Sequence, residues 1–334
     1  METASFFSRT PKPPAPAGWP AWIRRNREAV SGVARGMKTL SIALLIAFPV
    51  CFLIGCVATV FASAYILENQ GVARAFVYLA GIVVIGIFAY LIGTGQRDER
   101  AGLIAALVLT VQSVFYFIFY QQMSTSLALF ALRNVDPSFV VFGVHLWDWS
   151  PAQFQAFNPI WIFILSPVLA WAYTRAGKAG KDISIAAKFA LGFVIVAAGF
   201  FIYGASQHLA DATGKVSSWL MVWGYGAISL GELLVSGLGL AMIARYVPAR
   251  MGGFMMGAYF VASGVSQYLG GLVATFAAVP QNITDPLESL PIYTTLFNQL
   301  GIAALVCAAI AIAVLPLMNR LSQTHHGNSQ EGRI

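Results

Sequence analysis

Long apolar segments, separated by short connections that carry most of the charges, dominate the pattern along the chain. Each segment is close to or longer than the roughly 20 residues that a helix needs to cross a bilayer. The strict alternation of apolar and polar positions that membrane-spanning strands require is not the pattern here. We therefore predict an all-α integral membrane protein with about eight transmembrane helices. The predicted spans cover residues 39–66, 74–93, 102–129, 153–173, 184–205, 217–244, 253–278 and 291–318.

Composition agrees with this interpretation. Of the 334 residues, 58% are hydrophobic and 10% are charged, whereas soluble domains carry about 25% charged residues. The mean hydropathy is +0.73. Three cysteines, Cys51, Cys56 and Cys307, fall inside predicted spans, so we expect no disulfide in an exterior loop.

Lys and Arg residues are divided unevenly between the alternating connections. Seventeen of the 20 fall in the two tails and the connections on one side, and only Arg74, Arg133 and Lys215 fall on the other side. The positive-inside rule then places both termini in the cytoplasm, with the chain crossing the cell (inner or plasma) membrane several times. The net charge of +7 follows from this topology. We expect the lipid bilayer as a partner, and no nucleic acid.

A single carboxylate, Glu232, lies near the middle of the sixth span, in a run with no other charge between Lys215 and Arg245. A charge at that depth costs about 2.5–10 kcal/mol, so the side chain should not face lipid. Either Glu232 is a protonated acid that holds helices together, or it is a functional group that takes up protons or pairs with a substrate cation. At helical spacing it shares a small and polar face with Tyr225, Ser229, Ser236 and Gly239.

Polar side chains also occur at membrane depth in the third and fourth spans. The third ends in a polar run, residues 119–126, which needs neighbouring helices or a watery cavity as partners. The fourth is predicted to begin with Ser150 as N-cap, Pro151 in the first turn and Gln153 three residues on. That start places Asn158 about two turns into a helix whose two prolines predict a kink, either for binding or as an ordinary feature of transmembrane helices.

Four segments of the sequence occur in the order and spacing of a known family. They are FIFYQQMSTSLALF at 117–130, FNPIWIFILSP at 157–167, GELLVSGLGL at 231–240 and PARMGGFMMG at 248–257. Together they resemble the proton-dependent oligopeptide transporters of the major facilitator superfamily, particularly the bacterial dipeptide and tripeptide permeases. The resemblance covers residues 40–320.

The resemblance implies an organisation for the whole chain. The first two spans look like the helical hairpin that bacterial members insert between their two six-helix halves. The other six look like the carboxy-terminal six-helix bundle. The expected segments are a Pro-rich basic cytoplasmic tail at 1–38, the inserted hairpin at 39–95, the bundle at 96–320 and a cytoplasmic tail at 321–334.

The motif positions of the family imply where a peptide binds. An Asn on the eighth helix and a Glu on the tenth hold the peptide's amino terminus, and their positions here are Asn158 and Glu232. A carboxylate and an amide oxygen that face one cavity suit an ammonium group. Tyr116, Tyr120, Trp161 and Tyr259 could form the aromatic walls of the pocket, although most of them could equally be packing residues. The remaining candidate substrate-binding residues are Tyr120, Gln121, Tyr259 and Ser263.

Two positions and the length depart from the family pattern. Tyr120 stands where many relatives carry an acid linked to proton coupling, and Tyr259 stands where Trp is usual. Residues 1–36 do not resemble the family, and its amino-terminal half, with the Glu-x-x-Glu-Arg signature, has no counterpart. We expect a truncated reading of a longer protein. The alternatives are a chain that pairs with a separately encoded amino-terminal half and a degenerate remnant.

The expected activity is proton-coupled symport of dipeptides and tripeptides, with protons as the coupling ion and no cofactor. The alternative is a transport-incompetent fragment or a regulatory or structural membrane subunit. We do not expect an enzyme, because no paired-acid motif occurs and the histidines lie in connections or in the tail. Those histidines are His145, His208, His325 and His326.

Overall fold

A computed structural model describes residues 50–331 with the exception of positions 52, 64, 66, 67, 181, 182, 278–282 and 284. Within this range, helices follow one another with short connections. They are α1 (Leu53–Ser63), α2 (Gln70–Thr94), α3 (Arg97–Tyr120), α4 (Ser126–Asn134), α5 (Phe157–Lys178), α6 (Ile185–Gly204), α7 (Trp219–Tyr246), α8 (Gly252–Ala274) and α9 (Pro286–Glu331). Shorter helical turns lie at Gln121–Met123, Gln153–Ala156, Ser206–Leu209, Ala249–Met251 and Thr275–Ala277.

Six helical segments of the described part are long and apolar enough to cross a membrane. They match every predicted span except the first and the seventh. The seventh is present as α8, whose 23 residues extend about 34 Å at 1.5 Å per residue. Half of the first, at 39–66, lies outside the described residues, and its described part contains α1. The predicted all-α membrane fold is confirmed, and the chain is a multi-pass membrane protein.

The third span is longer than predicted and is interrupted. It extends over 36 residues through α4 and changes to a 3₁₀ turn at Gln121–Met123. At this turn the buried Gln122 donates from Nε2 to the Gly270 carbonyl oxygen of α8 at 2.9 Å, and its Oε1 accepts from the Ser126 hydroxyl at 2.8 Å. Buried polar groups need such partners. Part of the polar run at 119–126 therefore joins α3 to α8.

Helices α3, α6 and α7 form the centre of the bundle. Helix α3 packs against α7, α8 and α9, helix α6 lies between α7 and α9, and helix α5 packs on α7. Three fully buried rings, Phe130, Tyr203 and Phe297, meet there. The centroid of the Phe297 ring lies 5.3 Å from that of Phe130 and 5.6 Å from that of Tyr203. Edge-on and tilted ring pairs of this kind are favourable arrangements for aromatic side chains.

Glycine lets α6 and α7 approach closely. A Cβ added to Gly192 would lie 2.7 Å from Val235 Cγ2, and one added to Gly231 would lie 3.1 Å from the Gly192 carbonyl oxygen. Small residues at helix contacts are the usual means of close packing in membranes. The turn of α7 that carries Glu232 is therefore fixed against α6.

A two-stranded antiparallel hairpin lies in the connection between α4 and α5. Strand β1 (Ser138–Val141) pairs with β2 (Val144–Asp148), and the turn residues Phe142 and Gly143 have φ angles of 49° and 81°. Positive φ at both turn positions matches the twist of the strands, and Gly143 adopts it without steric cost. This hairpin is not among the elements predicted from the sequence.

The chain divides into two units between Ala73 and Arg74. Among its described residues the first unit contains α1. The second contains α3 to α9 and both strands, and every candidate site residue belongs to it. The segment boundaries predicted from the sequence stay predictions.

Candidate functional site

The side chains of Asn158 and Glu232 meet between α5 and α7. Asn158 Nδ2 donates to Glu232 Oε2 at 2.7 Å and to Ser229 Oγ at 3.1 Å. Ser229 is fully buried, whereas Asn158 and Glu232 are partly buried. Because both amide hydrogens are used in this way, the amide oxygen Oδ1 is left to accept hydrogen bonds from a ligand.

Glu232 lies in the middle of α7, about 20 Å from the start of that helix at 1.5 Å per residue. A carboxylate at membrane depth needs charged or polar partners. The Tyr120 hydroxyl lies near the same carboxyl group, to which Asn158 donates a hydrogen bond. Residues from α3, α5 and α7 therefore converge on one acid.

The helical segment that carries Asn158 begins at Gln153, as predicted, but its first four residues form a 3₁₀ helix and regular α-helix begins at Phe157. The α-helix has no side-chain cap, and a turn and the short 3₁₀ helix follow the predicted N-cap, Ser150. The Ser150 N–H donates to Gln153 Oε1 at 2.8 Å, which is the bond that the Gln of a capping box makes to the N-cap residue. Asn158 thus lies in the first turn of regular α-helix. Pro159 follows it in that turn, where proline is tolerated, and Pro167 lies inside the helix.

Two aromatic residues that were candidates for the pocket wall anchor α7. Tyr116 is fully buried, and its hydroxyl donates to the Ile228 carbonyl oxygen at 3.3 Å. Trp161 Nε1 donates to the Val222 carbonyl oxygen at 2.8 Å. Both bonds reach the α7 backbone on the amino-terminal side of Glu232. For Tyr116, the packing interpretation is the one that its burial supports.

The other predicted site residues contact different partners. Gln121 packs against α8. The Tyr259 hydroxyl donates to Ser113 Oγ at 3.5 Å, and the Tyr259 ring covers Gly239 of α7. Ser263 lies one helical turn after Tyr259 on α8. Their roles as substrate contacts stay a prediction.

Sequence reasoning did not assign Ser229 to the site, although it placed this residue on the polar face of α7. The spacing of the two residues could have identified Ser229, because a residue three positions before Glu232 lies on the same side of the helix. Contact with Asn158 makes Ser229 part of the cluster, which we define as Tyr120, Asn158, Ser229 and Glu232.

The cluster has the chemistry to bind an organic cation or a proton. A carboxylate and an amide oxygen can accept the hydrogen bonds of an ammonium group, and charge-assisted bonds of this kind are among the stronger ones in proteins. Within the described residues, no group of three or more His, Cys, Asp or Glu side chains could hold a metal ion.

Comparison with known proteins relates the chain to a family of transporters. The model of the POT family (PTR2) matches residues 94–296. The chain is 40% identical over 272 residues to dipeptide and tripeptide permease B of Salmonella typhimurium, and 40% identical over 270 residues to the protein of the same name from Aliivibrio fischeri. These matches cover 81% and 80% of this chain and 55% and 54% of the relatives.

The solved structures that resemble this chain are also those of peptide transporters. A crystal structure of tetrameric PepTSo2 has 63% sequence identity and a TM-score of 0.69, with 85% of this chain and 55% of that chain covered. A structure of peptide transporter POT in complex with sulfate has 29% identity and a TM-score of 0.63, with 86% and 54% covered. The chain thus spans about half the length of the curated relatives that it matches. These relatives are named as permeases and transporters, not as enzymes.

Proposed function

The chain belongs to the POT family, and we propose that it forms the half of a proton-coupled dipeptide and tripeptide permease that binds the peptide's amino terminus. The observation that carries the proposal is the 2.7 Å contact between Asn158 Nδ2 and Glu232 Oε2, which joins two helices at membrane depth. The names of the relatives support the class of substrate.

Recognition would depend on the positive charge of the peptide. An ammonium group entering the membrane loses its hydration and recovers it through charged hydrogen bonds. The Glu232 carboxylate and Asn158 Oδ1 are two acceptors within reach of one ammonium. The peptide's side chains vary, so the backbone amine is the group that a fixed acid can recognise in every peptide.

A proton and the peptide's ammonium group would compete for the carboxyl group of Glu232. Glu232 is the only acid within the eight predicted spans. A proton on this carboxyl group removes the charge that attracts an ammonium, and a bound ammonium favours the ionised acid. Tyr120, which lies near Glu232, stands where the family resemblance implies an acid in many relatives. We therefore assign amine binding to Glu232, and symport, in which a proton and the peptide move together, requires that the coupling proton be carried at another group.

The proposed carrier needs a second wall beside α5. Only 6% of the most apolar part of this helix is buried, and Phe163 and Trp171 are 82% and 63% exposed. Carriers of this class hold substrate between two repeats and move one repeat against the other. We propose that an amino-terminal six-helix half covers α5, either in the same polypeptide or as a separate one. The assembly would lie in the cell membrane with both termini of this chain in the cytoplasm.

Equilibrium binding of alanyl-alanine to the full chain, reconstituted in lipid nanodiscs and joined to the amino-terminal half of the Salmonella typhimurium permease, tests the assignment. Hydrogen bonds to charged groups contribute about 1.5–3 kcal/mol. Glu232→Gln should therefore weaken binding by about 10- to 100-fold, since 1.4 kcal/mol is tenfold. The matched control is Glu288→Gln, which removes an exposed acid in the first turn of α9.

The ligand provides a second control. N-acetyl-alanyl-alanine has no ammonium, so it should bind weakly to all three proteins. Unchanged affinity in Glu232→Gln, or equal affinity for the acetylated peptide, would refute the proposed site. Uptake of alanyl-alanine by this chain alone would show that no second half is needed. A stable complex that binds no peptide would favour a structural or regulatory subunit.

A further inference from the structure

An aromatic cluster surrounds the residue that precedes Asn158. Phe157, the first residue of α5, is 6% exposed and is the one buried side chain of this helix, all of whose residues are described. Its ring centroid lies 4.9 Å from that of Trp149 and 6.3 Å from that of Tyr225 in α7. The buried Phe154 lies 6.0 Å from both Trp149 and Phe157, centroid to centroid. The first turn of α5 is therefore packed between the segment before it and α7.

Trp149 is attached to the β-hairpin, and the hairpin is attached to the start of α7. The Trp149 N–H donates at 2.8 Å to the carbonyl oxygen of Pro137, directly before β1. The Trp149 ring lies 5.9 Å from that of Phe139 in β1, and the Phe139 ring lies 4.8 Å from that of Trp219, the first residue of α7. Trp219 Nε1 also donates to the Val140 carbonyl oxygen at 2.8 Å. The hairpin thus joins the segment that carries Trp149 to α7.

The rotation of the first turn of α5 decides where the Asn158 amide lies. The helix has no side-chain cap, and the indole of Trp161 holds it only about one turn further on. Phe157 and Asn158 are consecutive, so the packing of the ring sets the direction of the amide. An atom at the outer radius of a helix, about 5–6 Å from the axis, moves about 2 Å when the turn rotates by about 20°. Such a shift would break the 2.7 Å contact between Asn158 Nδ2 and Glu232 Oε2, because N–H···O bonds reach only about 3.2 Å.

We propose that Trp149 and Phe157 are positioning residues for binding of the peptide's amino terminus. Their ring pair holds the first turn of α5 in the rotation at which Asn158 meets Glu232. The proposal rests on the proposed function, because it concerns the same site. It gives the β-hairpin a role in binding, since the hairpin connects the segment before α5 to the start of α7, and these two helices carry the two acceptors of the site.

The test uses the full chain joined to the amino-terminal half of the Salmonella typhimurium permease in lipid nanodiscs, with alanyl-alanine as the ligand. Trp149→Leu keeps an apolar side chain and removes the ring, whereas Trp149→Phe keeps a ring beside Phe157. The matched control is Phe142→Leu, because Phe142 is fully exposed in the turn of the same hairpin. Each variant is also combined with Asn158→Ala.

Trp149→Leu should weaken alanyl-alanine binding about 2- to 12-fold, which is the factor that one aromatic pair supplies. The physical reason is that a site held in its binding geometry for part of the time binds in proportion to that fraction. Trp149→Phe should restore most of the affinity, and Phe142→Leu should bind like the unchanged protein. In the Asn158→Ala background, Trp149→Leu should have no further effect, because the residue through which Trp149 acts is gone. A merely structural role would give the same loss in both backgrounds.

Unchanged binding in Trp149→Leu, together with the expected loss in Glu232→Gln, would overturn the positioning role and leave the proposed amine site intact. An equal loss with and without Asn158→Ala would also overturn it. Unchanged binding in Glu232→Gln would instead refute the proposed function, and the positioning role with it. If Trp149→Leu does not fold, Phe157→Leu breaks the same ring pair from the other side, and unchanged affinity in that variant would refute the proposal.

Discussion

The contact between α6 and α7 can be tested by adding one methyl group at Gly231. The added Cβ would lie 3.0 Å from Tyr116 Oη and 3.1 Å from the Gly192 carbonyl oxygen. Both distances are shorter than ordinary van der Waals contact, and the Gly192 oxygen belongs to the backbone of a packed helix. These two short contacts can be relieved only if α7 or the Tyr116 side chain shifts. Either shift changes the position of Glu232, the next residue.

The size of the effect follows from two opposing terms. Replacing Gly by Ala in a helix interior gains about 0.5–1 kcal/mol from the backbone. Inserting a methyl group into a packed contact costs about 1–3 kcal/mol. Gly237→Ala on the same helix provides the control, because nothing lies within 4 Å of its added Cβ. The backbone gain cancels between the two variants, so Gly231→Ala should be less stable than Gly237→Ala by about 1–3 kcal/mol.

Reversible unfolding in mixed micelles, followed by circular dichroism, gives both free energies. Alanyl-alanine binding in the joined protein should also be weaker in Gly231→Ala than in Gly237→Ala, because Glu232 is displaced. If the two variants unfold with the same free energy, the close contact between α6 and α7 does not exist as described. If stability falls while peptide binding is unchanged, the contact does not position Glu232.

Two further predictions concern the anchoring of α7 and the loop before it. Trp161→Phe loses the hydrogen bond of the indole to the α7 backbone and should lower the free energy of unfolding by about 1 kcal/mol. The control Trp171→Phe, at a 63% exposed position, should change that free energy little. Equal effects of the two variants would contradict the anchoring role of Trp161. In the exposed loop before α7, hydrogen bonds from Thr213 and Lys215 lower the pKa of Asp211. The contribution of Asp211 to stability is therefore complete above the ordinary pKa of an Asp and is lost as the pH falls through the lowered pKa of the folded protein. The difference in melting temperature between wild type and Asp211→Asn should therefore shrink on acidification, and a difference that grows at low pH would refute the assignment.

Much of the fold could be predicted because membrane spans depend on local composition. A helix in lipid satisfies its own backbone hydrogen bonds, so an apolar run of sufficient length is enough to predict one. The lone acid at Glu232 and the amide at Asn158 stood out for the same reason, since polar groups are costly at that depth. The family motifs then related the two residues to each other.

Local rules were less reliable at the ends of elements. Ser150 and Gln153 form a good helix-start pattern, and Gln153 does accept from the Ser150 backbone, yet residues 153–156 form a 3₁₀ helix before regular α-helix begins. The hairpin at 138–148 was not predicted either, since its strands have only four and five residues. Short elements leave too few positions for a periodic pattern to be recognised.

The sequence by itself determined that this chain is a helical membrane protein, which residues are expensive to place in a membrane, and which family it resembles. Only the tertiary structure decided that Asn158 meets Glu232 through Nδ2, that Ser229 joins them, and that Tyr116 and Trp161 hold the α7 backbone. These contacts connect residues 61 to 112 positions apart. Composition determines whether a single segment forms a membrane helix, whereas such contacts depend on the distance between two helices and on how each is rotated. Glycines such as Gly192 and Gly231 set that distance only when the two helices pack together.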